Sequence, residues 1–300
     1  MVRVQVPATT ANLGPGFDCL GMALQLYNIV EMSFSASGLS VEVQGEGSHE
    51  IPRDENNMVY RAAQQVFRQT DRVSPGIKIK LTNNIPVSRG LGSSTAAIIG
   101  GMIAANILSG SGLSQKDIIN LAYAMEGHPD NIAASVLGGI VVAVPAEGEV
   151  KCQTIPPPKG LRAVVSIPDF TLSTRTSREA LPQQVPIGDA AFNLSRVALL
   201  VSSLYTGNIS QFGIAMEDRL HQPYRTSLVP GMKKVFAAAK LAGAKGITLS
   251  GAGPSIIAYA DNNFDLIARV MRDTFRQNGI SSRSLVLDIS PVGARALEIK

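Results

Sequence analysis

The chain has 300 residues, 45% of them apolar and 17% charged, with a formal net charge of +4. That balance excludes a disordered polyelectrolyte and fits a folded chain of one large or two ordinary domains. Two cysteines, Cys19 and Cys152, exclude a disulfide scaffold, and three scattered histidines (His49, His128, His221) argue against structural zinc.

Residues 2–7 alternate as a strand with Val2, Val4 and Val6 on one face, and they lack the apolar block of a leader. A glycine- and proline-rich loop is expected over 8–21, then strands at 27–35 and 39–44 joined by a Ser37-Gly38 turn. Asn56 or Asn57 caps a predicted helix running to Gln69, with Val59, Ala62, Ala63, Val66 and Phe67 on its apolar face. A strand at 76–82 leads into a second glycine loop and then an almost uncharged run to Leu108, which reads as a buried helix. Ser114 and Asp117 form a capping box, and Pro129 suits the first turn of a helix over 130–136. A buried strand is expected at 138–145. Residues 146–160, with Pro156-Pro157-Pro158, read as an interdomain linker between blocks 1–150 and 160–300. The second block reads β (161–167), helices (186–242), β (246–249), β (256–260), α (263–277), β (283–289). That order is the split βαβ pattern of a ferredoxin-like domain with helices inserted.

The longest apolar stretches, 95–108 and 136–146, fall short of the ~20 residues of a membrane span. The positive charges are few and dispersed, and aromatic residues make up 5%. No nucleic-acid or membrane partner is expected from this. A soluble, cytoplasmic protein acting on a small anionic molecule is.

Four segments carry candidate chemistry. The first is Pro86-Val87-Ser88-Arg89-Gly90-Leu91-Gly92-Ser93-Ser94-Thr95-Ala96. Its glycines allow backbone N–H groups to converge, and the helix behind adds its positive end, which together cradle phosphate. No lysine follows as in a Walker A loop, and the third glycine of a dinucleotide fingerprint is missing. A plain strand-to-helix turn is the bland alternative; the paired hydroxyls of Ser93 and Ser94 favour phosphate. Gly92 is expected to let backbone approach that phosphate, so Gly92→Val should block nucleotide and spare the fold. The second segment, residues 7–21, offers the Asn12 amide and the Asp18 carboxylate in a loop after an edge strand. The third, Ser250-Gly251-Ala252-Gly253-Pro254-Ser255, is longer than a bare hairpin needs. The fourth, Glu126-Gly127-His128-Pro129-Asp130-Asn131, places carboxylates at the end of one helix and the start of the next, where helix capping is the competing role.

Together these segments resemble the GHMP kinase family, in family order and across the whole chain. Residues 90–94 are similar to the family's nucleotide loop and residues 250–255 to its C-terminal glycine loop. Residues 7–21 and 127–131 resemble the branch acting on L-homoserine, whereas galactokinases and mevalonate kinases carry a Gly-Glu-His type sequence at the first motif. The resemblance implies an α+β fold of two domains, the first like ribosomal protein S5 domain 2 and the second ferredoxin-like. It implies ATP-dependent phosphorylation of the homoserine side-chain hydroxyl, in threonine biosynthesis, with Mg²⁺. Residues 86–96 with Gly251 and Gly253 would bind ATP, and Ser94 and Glu126 would hold the metal. Asn12, Asp18, His128 and Asn131 would surround the substrate, with Asp18 suited to its ammonium group.

The substrate carboxylate calls for an arginine fork, and Arg178 and Arg225 map there. Asp130 lies near the position of the aspartate that other members use as a base; a homodimer is the family-level expectation. Arg89 reads as a solvated loop residue or a phosphate partner. Another GHMP kinase substrate and a non-catalytic sensor remain alternatives. The Asp18 carboxylate disfavours mevalonate-type acids, and the presence of both Ser94 and Glu126 disfavours a sensor.

Overall fold

A computed structural model describes residues 1–70 and 76–299. The first half forms β1 (Val2–Ala11), β2 (Leu20–Phe34), β3 (Gly38–Gly45), α1 (Met58–Gln69), β4 (Gly76–Asn83), α2 (Ser93–Ser109), α3 (Gln115–Glu126), α4 (Pro129–Leu137), β5 (Ile140–Ala146) and β6 (Glu149–Ile155). The second half adds β7 (Arg162–Pro168), α5 (Thr174–Glu179), α6 (Ile187–Thr206), α7 (Phe212–Ala215), α8 (Gln222–Arg225), α9 (Met232–Leu241), β8 (Gly246–Leu249), β9 (Ile256–Ala260), α10 (Phe264–Gln277), β10 (Ser282–Asp288) and β11 (Arg295–Ile299).

Local rules explain much of this. Asn57 caps α1 by accepting from the N–H groups of Val59 and Tyr60, and the five apolar residues expected on its inner face are the buried ones. The Ser114–Asp117 capping box opens α3, and Pro129 starts α4. Helix α2 is buried along most of its length and packs on α1. A Cβ on its Gly101 would stand 2.5 Å from the Val59 carbonyl oxygen, so close helix packing requires glycine there.

The first sheet runs β11-β1-β2-β4-β3, with β5 on β2 and β6 beyond β5. The second runs β10-β7-β9-β8, all antiparallel, which in strand order is 4-1-3-2, the ferredoxin-like arrangement. One large apolar cluster underlies the first sheet and reaches into the second half, and a smaller one lies between the second sheet and its helices.

Three expectations are corrected. The loop at 8–21 contracts to 12–19, because β1 continues to Ala11 and β2 begins at Leu20; the pairing of Ala8–Ala11 with Gly21–Leu24 follows a register shift after Pro7. The expected linker at 146–160 contains β6, which pairs with β5 along its whole length. The simple division into 1–150 and 160–300 fails at β11, which returns to pair antiparallel with β1. Both β6 and β11 lie at sheet edges; β11 is mostly exposed and β6 buries only Val150 and Ile155, so each carries an apolar alternation too short to mark a strand.

Helix α6 is long and apolar enough to cross a membrane by length and composition, although it lies outside the two longest apolar stretches, 95–108 and 136–146. Its two charged residues are tied down within the fold, Asp189 to Arg219 and Arg196 to Glu217, and Asn193, Leu200, Ser203 and Leu204 are buried.

Candidate active site

The two glycine loops press directly on each other. Gly90 has φ of 74°, and a Cβ there would stand 2.2 Å from the Ser250 carbonyl oxygen. The Ser250 hydroxyl donates to the Gly90 carbonyl at 2.6 Å, and Gly251 N–H reaches Ala11 O at 3.3 Å. Gly92 also sits in the left-handed region, at φ 70°, but its Cβ would collide with the Thr9 hydroxyl at 2.0 Å. Its requirement for glycine is therefore internal. Gly92→Val strains the fold itself, contrary to the expectation that the fold would be spared.

Around these loops lies a cavity of about 400 Å³. Its walls include Val87–Thr95, Gly251 and Gly253, together with Glu126, Asp130, Asn12, Asp18, His128, Asn131, Arg178 and Arg225. All four sequence segments thus converge on one cleft. Pro86 and Ala96 are the exceptions: both are buried beneath the loop and off the cavity wall. Arg89 is corrected as well. Its Nε and Nη2 donate to the carbonyls of Pro168 and Asp169 and its Nη1 to Val87 O, so its guanidinium holds the loop to the second sheet.

At the floor of the loop, the buried Thr95 hydroxyl donates to Glu126 Oε2 at 2.7 Å, and the Ser94 hydroxyl also bonds this carboxylate. Burial raises the Glu126 carboxyl above its ordinary value against these two hydrogen bonds, and no cation pairs with it among the described residues. Asp130 is fully buried at the start of α4. Burial pushes its carboxyl up to about 7, while the N–H of Asn131 donates to Oδ1 at 2.7 Å and opposes the shift. The Thr9 hydroxyl donates to Asn131 Oδ1 at 2.7 Å and fixes that amide. Burial, then the Arg178 charge, push His128 below the usual imidazole value, which keeps it neutral at pH 7.

A charged group adjoins this floor. Asp18 and Arg178 form a two-pronged pair, Nη1 to Oδ2 at 3.0 Å and Nη2 to Oδ1 at 2.6 Å. Asn12 serves mainly as a brace: its Oδ1 accepts Asp18 N–H at 3.1 Å and its Nδ2 donates to Gly251 O at 3.0 Å. Arg225 is buried, with 1% of its surface exposed, yet no carboxylate lies within ion-pair distance of it among the described residues. Its Nε donates to Ser177 O at 3.2 Å and its Nη1 to Gly251 O at 3.2 Å, which leaves the Nη2 edge without a protein partner among the described residues. A buried guanidinium left in this state favours an anionic ligand. Burial pushes it down to about 10, still fully charged at neutral pH. Phe17 lies under both guanidinium groups at 5.4 Å. It lies within the 7–21 segment, but its role is not readable there, because a single aromatic ring in a loop has no spacing to read.

Two family models match the chain: the GHMP kinases N terminal domain over residues 57–139 and the GHMP kinases C terminal domain over residues 200–277. The homoserine kinase of Moorella thermoacetica is 45% identical over 299 residues, spanning 100% of both chains. That of Desulfitobacterium hafniense is 42% identical, over 99% of this chain and 100% of its own. Among solved structures, homoserine kinase from Cytophaga hutchinsonii superposes with a TM-score of 0.89 at 30% identity, covering 99% of this chain and 97% of its own. The mevalonate kinase of L. major, solved with R-mevalonate, shares the fold at a TM-score of 0.70 and 16% identity, with 97% and 95% coverage.

Proposed function

The chain belongs to the homoserine kinases of the GHMP kinase family, and from that membership we propose how its residues move the γ-phosphoryl group of ATP onto the side-chain hydroxyl of L-homoserine. The observation that carries the proposal is Arg225: a buried guanidinium without a carboxylate partner among the described residues, its free edge on the cavity that also holds the Asp18–Arg178 pair. An amino acid is a zwitterion and needs an anion and a cation a few ångströms apart. Asp18 receives the ammonium group, and Arg178 and Arg225 receive the carboxylate. The substrate exchanges its own charges for the internal pair, so neither Asp18 nor Arg178 loses its partner when homoserine enters.

At the other end, the N–H groups of residues 90–95 and the N-terminus of α2 bind the ATP phosphates. The donor set of Ser94 and Glu126 fits Mg²⁺, which takes oxygen ligands and is commonly held by one or two carboxylates plus substrate phosphates. The fit rests on a Glu126 carboxylate that has hydroxyl partners but no cation partner among the described residues. When bound, the metal neutralises charge on the transferring phosphoryl group. Thr95 keeps the Glu126 carboxylate oriented. The Arg89 brace and the Gly90–Ser250 contact keep the loop closed over the phosphates.

Phosphoryl transfer through a loose transition state depends mainly on positioning and charge. Asp130 contributes by being able to take up a proton near neutral pH beside Asn131. Free amino acid and ATP meet in the cytoplasm, the compartment we assign to the reaction.

The test is ADP release with ATP, Mg²⁺ and one acceptor at a time. Homoserine should turn over, whereas mevalonate and galactose should not. Turnover of mevalonate at a rate matching homoserine would overturn the zwitterion reading.

A further inference from the structure

His221 is fully buried and lies outside every motif that marks the cleft. One ring nitrogen, Nε2, stands 2.7 Å from the Gly14 carbonyl oxygen. A carbonyl only accepts, so Nε2 carries the proton. The other nitrogen, Nδ1, is then a lone pair, and Arg225 Nη1 donates to it at 3.0 Å. The ring stacks on Phe17, with centroids 5.2 Å apart and planes at 27°.

The groups facing this imidazole set its charge state. Asp218 Oδ2 is 3.5 Å from Nε2, but that carboxylate already accepts from the N–H groups of Leu220, His221 and Gln222 and from Asn193 Nδ2. Arg225, on the other side, disfavours a second positive charge, and Asp18 lies further off. Burial lowers the imidazole below its ordinary value, so the ring is neutral at working pH.

We propose that His221 is the positioning residue for the substrate carboxylate: its neutral, Nε2-protonated ring ties Gly14 to Arg225 and turns the free Nη2 edge of Arg225 into the cleft. The proposal rests on the reading of Arg225 as the carboxylate's partner. Three acceptors then fix the guanidinium: Ser177 O on Nε, and Gly251 O and His221 Nδ1 on Nη1. Of these, His221 is the single side-chain acceptor, and its Nε2–H on Gly14 O fixes the ring that offers it.

The test compares homoserine with 3-aminopropan-1-ol, which keeps the hydroxyl and ammonium but lacks the carboxylate. His221→Phe preserves the stacked ring and removes both hydrogen bonds. It should raise KM for homoserine by about 10- to 100-fold, on the scale of a lost hydrogen bond to a charged group. KM for ATP and KM for aminopropanol should change by less than about threefold, since neither carries the carboxylate that Arg225 reads. His221→Asn keeps an acceptor near the Nδ1 position and should recover most of the homoserine affinity; it also serves if the Phe variant does not fold. Equal losses for homoserine and aminopropanol in either folded variant would overturn the role assigned to His221. If Arg225→Leu leaves homoserine KM unchanged, the carboxylate reading falls first and this proposal with it.

Discussion

At the glycine loops, where we propose that phosphate binds, the groups offered are backbone amides, and side chains such as Arg89 and Ser250 hold the loops that carry them. Where we propose that the amino acid binds, the groups offered are side-chain charges; the carbonyls of Ser177 and Gly251 hold Arg225, and that of Gly14 holds the His221 ring beside it. The first end therefore tolerates little change in shape, because a loop displaced by a Cβ takes all its amides with it. The second end tolerates shape but not charge. Shape-changing and charge-changing substitutions should separate the two.

The largest effect should come from Gly90→Val. The new Cβ meets the Ser250 carbonyl at 2.2 Å from a left-handed φ, so stability should fall by at least ~3 kcal/mol. Thermal unfolding should move down, and calorimetry should show ATP binding lost. An unshifted unfolding curve would mean that the two loops are not in contact. Glu126→Gln, which keeps shape and removes charge, should lower kcat by ~10²- to 10³-fold with the unfolding temperature held within a few degrees. It should also weaken the dependence of rate on Mg²⁺; near-normal turnover at saturating metal would make Glu126 an ordinary wall residue.

Asp18→Asn comes next. It leaves Arg178 without its partner and the substrate ammonium without an anion. The pair is about one-third exposed, so the cost should be near the low end for a truncated charge pair, ~2–3 kcal/mol, seen as a rise in homoserine KM with ATP affinity unchanged. Homoserine lacking its amino group should bind wild type poorly and lose little more on the variant.

Asp130 gives a pH signature. Its carboxyl is raised from 3.8 to about 7 in the folded protein, so the folded state holds a proton that the unfolded chain has released. The stabilisation is complete below pH ~4 and is lost as pH rises through about 7. Asp130→Asn should remove that decline from the unfolding free energy measured between pH ~4 and ~8. The smallest effect is expected for Arg283→Ala, which breaks an ion pair with Glu46 between the second sheet and the loop after β3. Both partners are substantially solvated, so denaturant unfolding should change by under ~1 kcal/mol, and added salt should erase the difference.

The same contrast between local and distant partners decides what the residues alone reveal. Helix α1 was legible because its cap and its 3.6-residue apolar period lie within one short stretch of chain. The second sheet was legible because β7, β9 and β8 are buried strands bounded by glycine or proline. Strands β6 and β11 were not, since at a sheet edge each carries only two or three alternating apolar residues, too few to stand out. In the cleft, the four segments announced themselves by motif, whereas wall residues such as Val30, Ile51, Met58 and Leu172 carry no such signal. The bracing roles were not legible: Arg89, the Asn12 amide and His221 act on carbonyls far away in the chain, and a carbonyl has the same chemistry whatever residue carries it. Phe17 was hidden for a related reason, since its value lies in two arginines contributed by α5 and α8.

The return of β11 to the first sheet has a consequence for how the molecule is made. Val2 lies opposite Ile299, so the outer hydrogen-bonding edge of β1 is covered by a strand synthesised after every other described strand. Throughout synthesis of the second half, that edge presents a row of unpaired N–H and C=O groups, which is a template for pairing with another nascent chain. Inward-facing Val2, Val4 and Val6 bury one side of β1 against the first-sheet core and α2, while outward Arg3 is paired with Glu31 of β2, so β11 is what covers the remaining edge. A chain cut before Arg295 would keep every residue named in the cleft and leave that edge open.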